Sequence, residues 1–289
     1  MFIALIGLAN AGIVSSETGT IIGFGALKGP ALVAVIGLII TIILYALKVP
    51  GSILIGIFAT TLIGIPFGVT SIPENFKAFS LPEAPIFCKF DFSAVLSLKF
   101  FTIFFTFLFV DIFDTVGTLV GVTTQAGLVD KDGNIPKAKQ ALLADAIGTV
   151  AGAALGTSTV TSYVESSAGV AAGGRTGLTS VVTSVLFLLA LFLSPLFLLV
   201  PSAATAPALI FVGYLMMKAV TGIQFEDPTE GIPAFICILV MPFSYSIAEG
   251  IVWGVISYVL LKAVTGKFKD ISVVSWILAA IFLARFFIK

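Results

Sequence analysis

The sequence predicts an all-α polytopic membrane protein of about ten helical segments. The composition is 58% hydrophobic and only 10% charged, with a mean hydropathy of +1.17. Soluble domains average about 25% charged residues. The apolar residues also gather in runs near the length of a bilayer-spanning helix, about 20 residues, or fewer where the bilayer thins. A third observation concerns chemistry. Asp111, Asp114 and Glu165 lie inside or beside these runs. A charge at membrane depth costs at least about 2.5 kcal/mol and by default marks a substrate or ion pathway.

The segments span 1–14, 30–47, 51–69, 99–122, 138–156, 175–200, 204–220, 231–246, 248–265 and 271–288. The first is short for a span and opens inside an apolar run, without a signal-peptide n-region or cleavage site. The sequence therefore reads as an N-terminally truncated piece of a longer protein. Residues 71–98, with Pro73, Pro82 and Pro85, form the longest loop. Polar turns follow near 127–137 and 221–230, the second with Pro228 placed to start a helix. A Pro-Ala pair leads a helix pair at Pro30-Ala31 and again at Pro233-Ala234, with breaks at Gly51 and Gly250. This suggests an internal repeat, a transporter signature.

Fifteen basic residues balance fifteen acidic ones, which gives no argument for nucleic acid. Cys88 and Cys237 suggest neither a disulfide framework nor a metal site, and no cofactor is expected. With no histidine in the chain, proton chemistry falls to carboxylates.

Residues 157–174 are too polar for a lipid-facing helix, yet charge bias argues that they cross. With Lys131, Lys137 and Lys139 placed inside, a crossing here puts Lys262, Lys267 and Lys269 on the same side, with Lys48, Arg175 and Lys218. Without it those lysines fall outside. A polar segment crosses only where protein or a water-filled cavity satisfies its backbone. Thr157–Ser162 is expected to be extended, its threonines alternating in direction. A half-helix is expected from near Tyr163 to Gly173-Gly174, offering free N–H groups and a positive dipole end.

Asp111 and Asp114, three residues apart, share one helical face that Thr115 and Thr118 continue. Gly117 and Gly121 make a small-xxx-small pair, and Gly148, Gly152 and Gly156 repeat it on the next helix, so close helix packing is expected at each. Glu165 in the first turn of the half-helix could accept two N–H donors from a planar ligand. The alternatives are a cap on its own helix, and for Asp114 a cap or a pairing with Arg175. Asp145 reads mainly as a structural hydrogen-bonding group. Glu249 reads as solvated, and Asn10 as a packing residue.

The stretches Phe109–Thr118, Gly156–Ser166 and Ala168–Leu178 closely resemble signature stretches of the AzgA-like purine permeases of the second nucleobase:cation symporter family. Weaker similarity extends over the whole chain. The resemblance implies part of a fold of seven plus seven helices in inverted repeat, with a short strand plus half-helix at the substrate site. It divides the chain into gate helices at 1–70, an extracytoplasmic loop at 71–98, core helices at 99–201 and gate helices at 202–289. It implies Asp111, Glu165, Thr161 and Tyr163 as substrate-binding residues. Asp114, Thr118 and Asp145 would serve proton coupling or support. The implied partners are a purine nucleobase, a coupling cation (H+ before Na+) and the lipid bilayer of a bacterial plasma membrane, and a homodimer stays open. An anion transporter on the same fold would favour a cation facing the half-helix, where this chain has acids. A non-transporting fragment or assembly partner is the other rival. An intramembrane aspartyl enzyme would place its two acids on separate helices, and no Gly-x-Gly-Asp run occurs.

Overall fold

A computed structural model describes residues 1–15, 22–93, 95–130 and 133–287. Lys131 and the side chain of Lys218, both assigned to the cytoplasmic face from the sequence, lie outside the described part. Twelve α-helices occur among the described residues: α1 (Phe2–Asn10), α2 (Pro30–Ala46), α3 (Ser52–Gly64), α4 (Leu98–Ala126), α5 (Ala138–Leu155), α6 (Ser166–Ala171), α7 (Gly177–Phe192), α8 (Ser194–Phe197), α9 (Ser202–Met216), α10 (Pro228–Ser244), α11 (Ile247–Val264) and α12 (Val273–Phe287). Each apolar segment read from the sequence holds a helix. One of them is divided: α7 stops at Leu193 and α8 begins over Pro195, because proline has no N–H for the next helical bond. Two short strands, β1 (Val14–Ser15) and β2 (Gly23–Phe24), pair antiparallel after α1.

Among the described residues three stretches are long and apolar enough to cross a membrane: Ile103–Ala126, Ser202–Gly222 and Ile247–Val264. Shorter apolar helices accompany them. Large apolar side chains point outward on many helices, among them Phe107, Leu143 and Leu186. An apolar surface of that extent is a liability in water and the normal outer face of a protein in lipid.

Small residues set the packing. In α2 and α3, Thr41 lies over Gly56 and Thr60 over Gly37. Each hydroxyl donates to a carbonyl of its own helix, Thr41 to Gly37 at 2.8 Å and Thr60 to Gly56 at 2.6 Å. The hairpin packs on α9, and so does α1. A Cβ on Gly7 would stand 2.8 Å from the Ala206 carbonyl oxygen. Ala11, Ala31, Ala34, Ala203 and Ala206 fill the buried centre of this cluster.

Helices α10 and α11 form the most extensively packed pair, and α12 lies against α11. Pro228 occupies the first turn of α10 and Asp227 caps it, accepting the Thr229 N–H at 2.8 Å. That helix start agrees with the sequence reading, but the Pro-Ala repeat does not. Pro30 opens α2, whereas Pro233 lies inside α10. The break before α11 falls at Tyr245, in the left-handed region at φ 52°, and Gly250 sits within α11 beside Met241 and Cys237. The cause is local: Pro228 with the Asp227 cap starts the helix one turn and a half before Pro233.

At 29 residues α4 is the longest helix, about 43 Å at the usual rise. The Ser97 hydroxyl caps it by accepting the Phe100 N–H, and Gly127 ends it in the left-handed region. Phenylalanine rings stack at i, i+4 in two places, Phe100–Phe104 and Phe109–Phe113. Phe282 of α12 meets Phe109 edge-on, with ring centroids 5.9 Å apart. Phe109 and Phe113 lie on the side of α4 opposite its polar residues Asp111, Asp114, Thr115 and Thr118.

Candidate functional site

Asp111, Asp114, Thr115 and Thr118 stand at i, i+3, i+4 and i+7, one stripe of α4. Thr115 and Thr118 are buried, and the two aspartates are half-buried. At this depth Phe109 and Phe113 occupy the other side of the helix. A buried hydroxyl needs a partner, and Thr115 has two.

Those partners come from α5 and from the polar segment that follows it. Gly148 and Gly152 open one side of α5. A Cβ on Gly148 would stand 3.2 Å from Val160 Cγ1, and one on Gly152 would stand 2.8 Å from Thr157 Oγ1. The segment therefore lies directly on α5. Thr149 fastens it, donating to the Val160 carbonyl at 2.8 Å and accepting the Val160 N–H at 3.3 Å. Thr149 and Thr159 hydroxyls are 3.1 Å apart. Gly156 ends α5 at φ +76°, a backbone angle that suits glycine, and Ile86 of the long loop lies over it.

From α5 the segment reaches across to α4. Thr159 donates to the Asp111 carboxylate. Thr161 meets Thr115, hydroxyl to hydroxyl at 2.8 Å, and Thr115 donates to Asp145 at 3.1 Å. The Ser162 N–H also serves the Asp145 carboxylate. Asp114 lies within electrostatic range of Asp111, Asp145 and Glu165. Four acids thus share one region, and two of them, Asp111 and Asp145, are held by threonines.

The segment does not form the expected strand. Among the described residues no strand pairs with 157–162, since a ladder needs a second backbone. The Thr149 hydroxyl serves the Val160 backbone instead. The half-helix is also shorter than expected. It comprises Ser166–Ala171, with Glu165 at its N-cap. Its leading N–H groups are not free: Ser166 and Ser167 donate to the Tyr163 and Val164 carbonyls at 3.1 and 3.0 Å. A tight turn at Tyr163–Glu165 consumes them.

Glu165 makes no capping bond to α6, and its side chain is exposed. The carboxylate is unspent on its own helix. The Tyr163 ring stacks on Phe187 of α7, with centroids 6.4 Å apart. Among the described residues Arg175 pairs with no aspartate. Its Nη1 donates to the Val170 and Gly174 carbonyls at 2.7 and 2.9 Å, which satisfies the C-terminal end of α6 with a cation. Gly121 faces Met216, but nothing approaches the Cβ position of Gly117 within 4 Å, so the close packing expected at Gly117 is absent among the described residues. Gly117 lies one turn before Gly121 on α4, out of reach of Met216.

Sequence reasoning passed over Thr149 and Thr159 as functional residues. The signal was present: Thr149 adjoins Gly148, on the one side of α5 free of bulk. An apolar hollow of about 520 Å3 lies along α7 and α8, lined by Leu186, Phe187, Leu191 and Phe197. It lacks the carboxylates that a polar ligand edge needs.

Comparison with known proteins gives this arrangement a family. The xanthine/uracil permease family model, described as a permease family, matches residues 1–253. The chain belongs to this permease family. Its members are transporters rather than enzymes. The chain is 49% identical over 289 residues to the putative permease MJ0326 of Methanocaldococcus jannaschii, covering 99% of this chain and 66% of that protein. It is 40% identical to the adenine permease AdeQ of Escherichia coli K12, covering 99% of this chain and 64% of AdeQ. It is 42% identical to the guanine/hypoxanthine permease PbuG of Bacillus subtilis, covering 99% of this chain and 66% of PbuG. The chain thus spans just under two-thirds of the length of these relatives. The resemblance read from the acid-bearing stretches of the permease agrees with these names.

Proposed function

We propose that this permease is a secondary active transporter that imports a purine nucleobase (guanine, hypoxanthine or adenine) across the cell membrane by proton symport. The observation that carries this reading is the junction of α4, α5 and the crossing segment. There Asp111 and Asp145 are held by threonine hydroxyls while the Glu165 carboxylate stays unspent. Purines present ring and exocyclic N–H donors, and carboxylates accept them. Several acids in one region of a chain without histidine also make carboxylates the natural proton carriers. The names of AdeQ and PbuG support the substrate class.

In this reading 99–201 form the core that binds the base, and 1–70 and 202–289 form the gate. The gate moves against the core to expose the site alternately, within an inverted repeat of seven plus seven helices. The packing of α1, α2 and α3 together on α9, which α4 and α6 also touch, supports a gate built around α9. The test is uptake of radiolabelled adenine, guanine and hypoxanthine by a permease-deficient host expressing the complete reading frame. Saturable uptake of at least one base, competed by unlabelled purine and collapsed by a protonophore, is expected. Uptake no greater than the empty host would overturn the reading.

A further inference from the structure

The bonds around Thr115 carry more than a structural role. Its hydroxyl has one hydrogen and stands between Asp145, 3.1 Å away on α5, and Thr161, 2.8 Å away in the crossing segment. Thr115 is 1% exposed, so water does not replace either bond freely. A hydroxyl with one hydrogen and two such neighbours has only two consistent bond directions.

An ionised Asp145 only accepts. Thr115 must then donate to Asp145, and Thr161 must donate to Thr115. Thr161 is left with lone pairs, an acceptor for anything beyond it. When Asp145 takes up a proton and turns it toward Thr115, the order reverses. Asp145 donates to Thr115, Thr115 donates to Thr161, and the Thr161 hydrogen becomes available to another group. The one bond formed is the carboxyl O–H of Asp145; each hydroxyl keeps its own hydrogen and only rotates.

We infer that Thr115 is a positioning residue that transmits the protonation state of Asp145 to the crossing segment as a reversal of hydrogen-bond direction. Thr161 lies two residues after Thr159, which holds Asp111, and four before Glu165. A change of direction at Thr161 therefore acts between the two carboxylates assigned to the base. The groups that bear on Asp145 are the Thr115 hydroxyl, the Ser162 N–H of the segment, and Asp111 and Asp114 of α4, while Glu165 at the N-cap of α6 bears on Asp114. All the charged members are acids, so proton uptake by any one of them relieves the others. The inference deepens the proposed transport reading, yet the bond reversal itself does not depend on transport.

The test uses Thr115→Val, which keeps the shape and removes the hydroxyl, and Thr115→Ser, which keeps the hydroxyl. Amide hydrogen exchange of the peptide covering 157–165, corrected for intrinsic rate, is followed from acidic to alkaline pH in the purified full chain. Wild type and Thr115→Ser should show a pH-dependent change in protection, and Thr115→Val should show none. Asp145→Asn, which cannot titrate, should also show none, and it keeps the test valid if Thr115→Val fails to fold. Purine uptake by Thr115→Val should lose its pH profile while KM changes by less than about threefold, the pattern of a group acting through another. A pH response retained in Thr115→Val or in Asp145→Asn overturns the inference. If wild type takes up no purine but the exchange pattern follows the hydroxyl, the relay stands and the transport reading falls.

Discussion

The Lys267 ammonium donates to the Asp227 carboxylate at 2.7 Å, tying the residue that caps α10 to the turn after α11. Lys267 and the Thr229 N–H and hydroxyl together hold the Asp227 carboxyl down to about 2, against an ordinary 3.8. A depressed carboxylate adds stability that is present in full above its unfolded value and is lost as pH falls through its folded value. The melting temperature of the purified protein should therefore drop as pH falls from about 4 toward 2. In Lys267→Met the protein should be less stable at neutral pH, and this acid-linked loss should shrink. Identical pH curves for the two proteins would exclude the pair as a contributor.

Glu165→Gln should weaken purine binding about tenfold to a hundredfold, since an unsatisfied buried donor on the ligand costs about 1–3 kcal/mol. The amide has a single acceptor oxygen and brings an unwanted donor. Its helix should be unaffected, because Glu165 makes no capping bond to α6. Equilibrium binding of labelled purine to purified protein measures this, and unchanged affinity removes Glu165 from the site.

Asp111→Asn and Asp114→Asn should differ. Asp111 is reached by Thr159 of the polar segment, so its loss should abolish or nearly abolish uptake. Asp114→Asn should keep part of the binding while lowering transport or altering its pH dependence, since an amide still hydrogen-bonds but does not titrate. Binding to each purified variant, set beside uptake at several external pH values, separates the roles. The opposite pattern would exchange the two assignments.

Gly37→Ala should destabilise the α2–α3 hairpin by about 1–3 kcal/mol, the usual cost of overpacking. The new Cβ would strike the β-branched side chain of Thr60, whose hydroxyl is already bonded to Gly56. The double variant Gly37→Ala with Thr60→Ala should recover much of the loss. Thermal unfolding in detergent checks both, and a single variant as stable as wild type would mean that the helices have room to spare.

The topology is tested with single cysteines in a background free of Cys88 and Cys237. Lys137→Cys and Lys267→Cys should both be protected from an impermeant external reagent in intact cells. Labelling of one alone would mean that residues 157–174 do not cross.

Much of this was legible in the sequence, because hydropathy and helix punctuation act locally. The segment read at 99–122 lies within α4, and the start of α10 follows from Pro228. The polar stripe Asp111–Asp114–Thr115–Thr118 follows from helical spacing alone. What the sequence left open depended on how elements meet. Asp145 read as a hydrogen-bonding group, but Thr115 as its partner emerges only when α5 lies beside α4. Gly117 and Gly121 look equivalent in the sequence, yet only Gly121 has a neighbour, Met216. The expected strand at 157–162 failed for the same reason. Its backbone is served by one side chain, Thr149, and not by a second strand.

The crossed threonines and glycines of α2 and α3 also govern motion. Each threonine is seated over a glycine of the opposite helix, so sliding one helix along the other by part of a turn drives a side chain into backbone. The two helices are geared together and must travel as one stiff plate. Its entry edge is Gly29, where φ is +52° and nothing stands within 4 Å of the Cβ position, while the turn at Gly68 is fastened back onto α3 by Val69 and Thr70.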